Sequence, residues 1–192
     1  HTDDFADRPL PYRAFLNKAY NDDGIEVSYV LPTDFYTEIG GGVFMECTGL
    51  NQINIPDSVT LIDDGAFWAC TQLTQIRMPI NMNKIGNHVF PQCTGLTEIT
   101  IPEGVTEIGS EAFRECTQLT QLCIPRSVVH IKFEAFSGCS ALTQINIPRN
   151  LTNIGNNVFE NCHSLKYITA IDDNDVERIK TLLPTPLQSK VT

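Results

Sequence analysis

The sequence contains no run of about 18 apolar residues and no excess of basic side chains, and both absences restrict what the protein does. Without such a run we expect no membrane span, and no signal peptide with a basic start and an apolar centre is visible. Lys and Arg number 13 against 23 Asp and Glu, which gives a formal net charge of -10. Because that charge repels phosphate backbones and anionic lipid, we also expect no nucleic-acid partner.

Motifs for catalysis and metal binding are also missing. The sequence has no C-x-x-C or Cys/His spacing of a zinc site, no G-x-S-x-G elbow, no Gly-rich phosphate loop and no pair of acid–base carboxylates. His88, His130 and His163 fall in different parts of the pattern described below and form no evident cluster with carboxylates. We therefore predict that the protein is not an enzyme and that it uses no cofactor and no metal.

What the sequence does have is an internal repeat with a period of 23 residues. Repeats of this length predict coils that stack and so close each other's core. One Phe, one Cys and one Leu recur in every unit, at Phe44, Phe67, Phe90, Phe113, Phe136 and Phe159, at Cys47, Cys70, Cys93, Cys116, Cys139 and Cys162, and at Leu50, Leu73, Leu96, Leu119, Leu142 and Leu165. The sequence therefore predicts six stacked coils of a single solenoid.

The unit from Leu96 to Arg114 shows what each coil is expected to form. Ile99 and Ile101 alternate with polar neighbours as in a strand, and Pro102 ends that strand because it has no backbone N–H to donate. Gly109 permits a corner, and Ser110 is followed by good helix formers. We therefore predict a short strand, a corner and then one helical turn or a short helix.

The repeat pattern also points to a known family. The pattern L-x-x-I-x-I-P, followed by V-x-x-I-G-x-x-A-F-x-x-C, resembles the BspA-like family of leucine-rich repeats, known from bacterial and protist surface proteins and some bacterial effectors; the best matches begin at Ile55 and Ile101. The resemblance covers roughly residues 32 to 170 and implies an α/β repeat, a curved leucine-rich-repeat solenoid with a parallel sheet on its concave face and short helices or turns on its convex face. Lys132 departs from the pattern, since Gly is expected there.

Both ends of the solenoid are expected to be capped. Residues 1–31 are predicted to form an N-terminal cap, with a helix around Phe15 to Tyr20 and a leading strand up to Leu31. Residues 32–170 hold the six repeats. Residues 171–192 are predicted to form a capping helix, which ends before Pro184, and a loose tail.

Six of the seven cysteines share one position of the repeat and are therefore expected to lie stacked. Strands about 4.8 Å apart separate such side chains by more than the ~3.8 Å that a disulfide prefers between Cβ atoms. Buried free thiols are the favoured interpretation, ahead of disulfides or a metal site. Cys123 differs because it lies at an outward strand position, either as an incidental exposed Cys or as a reactive thiol.

Two further residues allow two interpretations each. Trp68 is the only Trp and stands at a position that varies from coil to coil, so we expect it to point outward, as a contact residue or as an inert aromatic. Asn150 begins a glycosylation motif that ends at Thr152. Because Leu151 between them is predicted to point inward, we interpret that motif as a chance match.

The outward strand positions form the candidate binding surface. They lie in two rows, Gln52, Gln75, Glu98, Gln121, Gln144 and Tyr167, and Asn54, Arg77, Thr100, Cys123, Asn146 and Thr169. At about 4.8 Å per strand, the rows make a polar stripe on the order of 24 Å long, which suits a peptide or a protein edge. Arg77 and Tyr167 are the expected energetic anchors. The alternative is a ladder in which stacked Gln amides bond only to one another.

The predicted function is a protein–protein interaction module that acts as a monomer. As the resemblance implies, it would be an exported effector or a surface protein that binds a host protein, in the host cell or at a cell surface. The chain starts with His1 rather than Met, so we expect a processed form or a piece of a longer protein. One alternative is the substrate-presenting region of a larger enzyme whose catalytic domain lies elsewhere, and another is a spacer without a partner.

Overall fold

The chain winds into a solenoid of parallel strands in the computed structural model, which describes residues 28–30, 37–170 and 175–192. One side of the solenoid carries a three-stranded sheet and a four-stranded sheet in succession. These strands are β1 (Ser28–Val30), β3 (Gln52–Asn54) and β5 (Gln75–Arg77), then β7 (Glu98–Thr100), β9 (Gln121–Cys123), β11 (Gln144–Ile147) and β13 (Tyr167–Ala170). The predicted leucine-rich-repeat solenoid is thus confirmed.

A second row of two-residue strands follows the first along every coil. It consists of β2 (Glu38–Ile39) and β4 (Leu61–Ile62), and of β6 (Lys84–Ile85), β8 (Glu107–Ile108), β10 (His130–Ile131) and β12 (Asn153–Ile154). Between β3 and β5 the register pairs equivalent residues of the repeat, such as Gln52 with Gln75, whereas Ser28 pairs with Gln52. The first offset is one residue longer because the sequence has one inserted residue in its first coil.

The third side of each coil is a turn, which is one of the two forms, short helix or turn, that the resemblance implied, and no helix follows Ser110. Glu111 and Glu115 have φ angles of 53° and 58°, in the left-handed region that an α-helix of L-residues avoids. The N–H groups of Glu111, Phe113 and Glu115 donate to carbonyls of the next coil, at 2.7 to 2.9 Å. The turn forms because these N–H groups bond between coils and not along a helix.

Left-handed residues recur two positions before and two positions after each repeated Phe. They are Gly42 and Glu46, Gly65 and Ala69, His88 and Gln92, Glu111 and Glu115, Glu134 and Gly138, and Asn157 and Asn161. We call this side of the solenoid the turn face.

The core is a continuous column of apolar side chains along the solenoid axis. The Phe, Cys and Leu ladders are all buried, as predicted. Neighbouring Phe rings stack with centroids 5.0 to 5.9 Å apart and planes within 7° to 17° of parallel. Each coil therefore covers an aromatic face of the coil before it.

Corners between the second strand row and the turn face bring the backbones of successive coils close together. A Cβ on Gly109 would lie 2.4 Å from the carbonyl oxygen of Gly86, so only Gly fits there. Lys132, the departure from the pattern, keeps the same corner bond, from its N–H to the Ile108 carbonyl at 2.9 Å. Its ammonium group lies 3.3 Å from the Glu107 carboxylate.

At the C-terminal end, helix α1 (Val176–Leu182) covers the last coil and is followed by α2 (Thr185–Gln188). Ile179 of α1 is fully buried, and the Arg178 guanidinium donates to the Leu151 carbonyl at 2.5 Å. The sequence suggested a loose tail, but the final residues are ordered against the last coil. Val191 is buried and pairs in parallel with Ile168. Apolar contact and strand pairing hold the tail against β13.

At the N-terminal end, residues 28–30 of the expected leading strand form β1, and the expected cap helix lies outside the described residues. Within the ranges that the structure describes, no helix is long and apolar enough to cross a bilayer.

Candidate protein-binding surface

The outward side chains of β3, β5, β7, β9, β11 and β13 form one surface, which we call the strand face. Side chains of a strand alternate between its two sides, so the second residue of each strand, such as Ile76 in β5, enters the core. The flanking residues are the twelve named from the sequence, and the structure brings them together in two rows. All are exposed except Gln52 and Asn146, which are half-buried.

A shallow depression of about 260 Å³ lies on the strand face across β3, β5 and β7. Its floor is Ile53, Ile76 and Ile99, and its polar lining is Gln52, Asn54, Gln75, Arg77, Glu98 and Thr100. Six of the twelve candidate residues thus surround one concavity, which gives a partner side chain more contact than a flat sheet.

Arg77 is held in place at the edge of this depression. Its guanidinium donates to the Asp57 carboxylate at 2.9 Å and to the Ile55 carbonyl at 3.1 Å. The Arg77 hydrogen bond, together with one from the Ile80 N–H, lowers the pKa of Asp57. A cationic side chain fixed in this way loses little conformational freedom when a partner binds.

The first row of the strand face, which contains four Gln residues, has few hydrogen bonds between its side chains. Gln75 donates to the Glu98 carboxylate at 3.5 Å. Among the residues that the structure describes, Gln52, Gln121 and Gln144 make no side-chain hydrogen bond to another part of the chain. Their amides therefore keep donors and acceptors for a partner, which weakens the interpretation of this row as a closed amide ladder.

Asn146 has a different role from the other candidate residues. Its amide nitrogen donates to the Ile124 carbonyl at 2.7 Å, and its amide oxygen accepts from the Ile124 N–H at 2.8 Å. Both ends of the side chain are thus used to hold the backbone that follows β9. We expect Asn146 to position the strand and to contribute less than its neighbours to contacts with a partner.

The repeated cysteines have a structural role that the sequence did not reveal. From Cys70 onward, the thiol of each repeated Cys donates to the carbonyl of the Phe one coil back, at 2.9 to 3.2 Å. Burial raises the pKa of Cys116 and Cys139 well above its ordinary value. These thiols are stable buried donors, and Cys123, as predicted, is the exposed one.

A small polar and aromatic cluster on the turn face was not predicted from the sequence. The Trp68 and His88 rings stack with centroids 5.9 Å apart, and the Trp68 indole N–H donates to the Gln92 amide oxygen at 3.4 Å. His88 Nδ1 lies 3.6 Å from the Glu111 carboxylate. The available signal was the repeat itself, since Gln92 follows Trp68 by 24 residues and so lies on the next coil.

In the part of the chain that the structure describes, no cluster of side chains indicates a metal site. Among residues 37–170 and 175–192, no group of three His, Cys, Asp or Glu side chains could hold a metal ion. The parallel solenoid and its polar strand face instead define a leucine-rich-repeat protein, a class of interaction scaffolds that are generally non-catalytic.

The chain belongs to the family of BspA-type leucine-rich repeat regions, whose sequence model matches residues 17–140 and 62–181 in six copies. This match confirms the predicted family. No curated protein matches the chain.

Solved bacterial structures resemble the chain along most of its length. A leucine-rich repeat protein of T. pallidum is 25% identical with a TM-score of 0.72, and the match covers 83% of this chain and 85% of that one. A leucine-rich repeat protein from Bacteroides ovatus is 29% identical with a TM-score of 0.69, over 74% of this chain and 39% of that one.

A leucine-rich cell surface protein from Faecalibacterium prausnitzii is 33% identical with a TM-score of 0.57, over 76% of this chain and 48% of that one. The chain therefore spans less than half the length of these last two relatives.

Proposed function

We propose that the chain is the protein-binding module of a surface-displayed or exported protein and that its partner, a host protein, binds the strand face. The observation that carries this proposal is a face of parallel strands, in two successive sheets, whose outward residues are almost all uncharged and polar, although the chain has a net charge of -10. Acidic residues lie mostly elsewhere, so the strand face offers hydrogen bonds without strong charge repulsion.

The depression around Gln75 and Arg77 supplies a centre for the interface. Interfaces derive most of their binding energy from a few residues, among which Arg and Tyr are enriched. Arg77 is held at one part of the strand face, and Tyr167, 53% exposed, lies on its last strand. A partner that reaches both must extend across the strand face from β5 to β13, which favours a protein edge or an extended peptide.

Surface display is favoured over delivery into a host cell. The support is the similarity to a bacterial protein described as a leucine-rich cell surface protein, together with a family that is often found at cell surfaces. We propose that the module acts as a monomer, since one copy already presents the whole strand face.

The test is capture of partners from host-cell lysate and from extracellular-matrix extract on the immobilised chain, quantified by mass spectrometry. The test variant is Arg77→Ala with Tyr167→Ala, and the matched control is Lys84→Ala with His130→Ala, two exposed residues of the second strand row. We expect the test variant to lose the captured protein by about 30-fold, the effect of roughly 2 kcal/mol, and the control to keep it.

Asp57→Asn separates the loss of the Arg77 side chain from the loss of its ion pair, because it removes the Asp57 charge and leaves the guanidinium. Circular dichroism confirms that each variant folds. Capture that survives Arg77→Ala with Tyr167→Ala would move the interface to another side of the solenoid. Absence of any specific protein from both extracts would instead support the spacer alternative.

A further inference from the structure

The turn face carries an apolar patch at its N-terminal end. Met45 and Trp68 occupy the same position of the repeat on successive coils, and they are 44% and 36% exposed. The next coils have a buried Pro91, then Arg114, at this position. Large exposed apolar side chains at this position are therefore confined to the first two coils, and we call this area, with Gly42, Gly65 and Ala69, the turn-face patch.

Small residues keep this patch open. In the first two coils Gly42 and Gly65 take the left-handed position before the repeated Phe, where the later coils have side chains such as His88 and Glu111. The Met45 Cε atom lies 3.5 Å and 3.6 Å from where a Cβ of these two glycines would be. Met45 thus lies across the two glycines, and no neighbouring side chain at that position covers it.

Trp68 is fixed in orientation. His88 stacks on its ring with planes 15° apart, and Gln92 accepts the indole N–H. Gln92 in turn donates to the Glu115 carboxylate at 3.1 Å. An aromatic side chain held in this way costs little entropy on binding, which is a property of residues that contribute most to interfaces.

The surroundings of the patch are acidic. Glu46 follows Met45 in sequence, and Asp63 and Asp64 precede Gly65; the Asp63 carboxylate is 3.6 Å from where a Cβ of Gly41 would be. Glu46 and Asp63 thus adjoin the patch on its N-terminal coils, whereas the Asp64 carboxylate accepts from the Asn87 N–H at 2.9 Å and from the Asn87 amide at 3.3 Å.

On the other side, Arg114 is surrounded by Glu111, Glu115 and Glu134 at 3.2, 3.4 and 3.5 Å. Its positive charge is thus already matched by carboxylates. Exposed apolar patches with a polar rim commonly mark interaction sites.

We propose that the turn-face patch binds a basic amphipathic segment of a partner protein. Aliphatic or aromatic side chains of that segment contact Met45 and Trp68, while its Lys or Arg side chains pair with the acidic rim. Charge complementarity selects this occupant, because an acidic or neutral segment would meet repulsion or gain nothing from Glu46 and Asp63. The patch lies on a different side of the coil from the strand face, so this inference does not depend on the proposed function.

Trp68 makes the proposal measurable, since it is the only Trp in the sequence. The probe is a synthetic amphipathic Leu/Lys peptide, compared with a Leu/Glu peptide of the same spacing and with a Ser/Lys peptide of the same charge. We expect a saturable blue shift of Trp68 emission with the Leu/Lys peptide and none with the other two peptides. Binding should weaken as salt is raised, since salt screens the charges.

Variants test each part of the patch. Met45→Ser should weaken binding of the Leu/Lys peptide at least tenfold, and Glu46→Gln with Asp63→Asn should weaken it and reduce its salt dependence. Phe133→Ser is the matched control, because Phe133 is an equally exposed apolar residue, at 44%, on a later coil. It should leave binding unchanged.

Several results would overturn the proposal. They are an equal shift with the Leu/Glu or Ser/Lys peptide, no shift with any peptide, and equal effects of Met45→Ser and Phe133→Ser. Emission that shifts with protein concentration alone, together with dimers in sedimentation, would show that a second copy of the chain covers the patch and not a basic partner.

Discussion

At the residue scale, the repeated phenylalanines show how one coil depends on the next. Phe113 is fully buried and stacks between Phe90 and Phe136, with centroids 5.4 and 5.5 Å away. Its backbone carbonyl accepts a hydrogen bond from the thiol of Cys139. A single residue therefore contributes to two interfaces between coils.

Phe113→Ala should lower the free energy of unfolding by about 3–5 kcal/mol, because the cavity left between two stacked rings cannot close easily. Urea denaturation followed by circular dichroism measures the loss. Phe133→Ala is the control, because Phe133 is 44% exposed and the same truncation there removes less buried area and leaves no closed cavity, so it should cost only about 1–1.5 kcal/mol. Equal effects of the two substitutions would contradict the inward position of Phe113.

At this scale the sequence predicted which side chains point into the core, but it could not predict their hydrogen bonds. The period places Phe113 and Cys116 inward whatever the local turn, because equivalent residues of stacked coils have equivalent surroundings. That the thiol donates to a carbonyl of the preceding coil depends on atomic positions that no spacing encodes. The same holds for Asn146, whose amide is used by the backbone of Ile124.

At the scale of the element, the turn face is where local preference and structure disagree. Nine of the twelve left-handed positions hold a residue other than Gly, and four of these are Glu. Each such residue costs about 1–2 kcal/mol in isolation. Hydrogen bonds to the next coil, such as that from the Glu115 N–H to the Ser137 carbonyl at 2.7 Å, offset that cost. Local propensity alone suggested one helical turn or a short helix after Ser110, because helix propensity reports only local terms.

Gly109→Ala should disturb the corner between β8 and the turn face. A methyl group there would lie 2.4 Å from the Gly86 carbonyl oxygen, so successive coils must separate, and we expect a loss of about 1–3 kcal/mol in thermal or urea denaturation. Gly49→Ala provides the comparison, because nothing lies within 4 Å of its Cβ position. If Gly109→Ala is as stable as Gly49→Ala, the close contact between the coils is wrong.

At the scale of the whole molecule, the buried thiols make stability depend on pH. Burial raises the pKa of Cys116 and Cys139 well above the usual value, and that of Cys162 to about 11, whereas the unfolded thiols ionise near 8.5. Below about pH 8.5 both states keep the proton and stability is unaffected. Above it, the unfolded state loses protons that the folded state retains, so the free energy of unfolding falls as pH rises.

The expected slope is about 1.4 kcal/mol per pH unit for each such thiol, and the contribution of Cys162 should level off near pH 11. Urea denaturation between pH 7.5 and about 10.5, with a reductant present, measures it. Cys116→Ala with Cys139→Ala should make the slope shallower, whereas Cys123→Ser, a change at the exposed thiol, should not. A slope that is the same in all three proteins would show that the buried thiols ionise as they do in the unfolded chain.

The register between coils has a further consequence for how such a protein can change in length. Gln52 faces Gln75, and Gln121 faces Gln144, so each strand meets a neighbour built on the same plan. If one whole 23-residue period is lost or duplicated, equivalent positions of the repeat are joined. The coils that become neighbours then make the same kind of contacts as other successive coils. Recombination within the gene can therefore shorten or extend the available footprint in steps of about 4.8 Å without redesigning the interior.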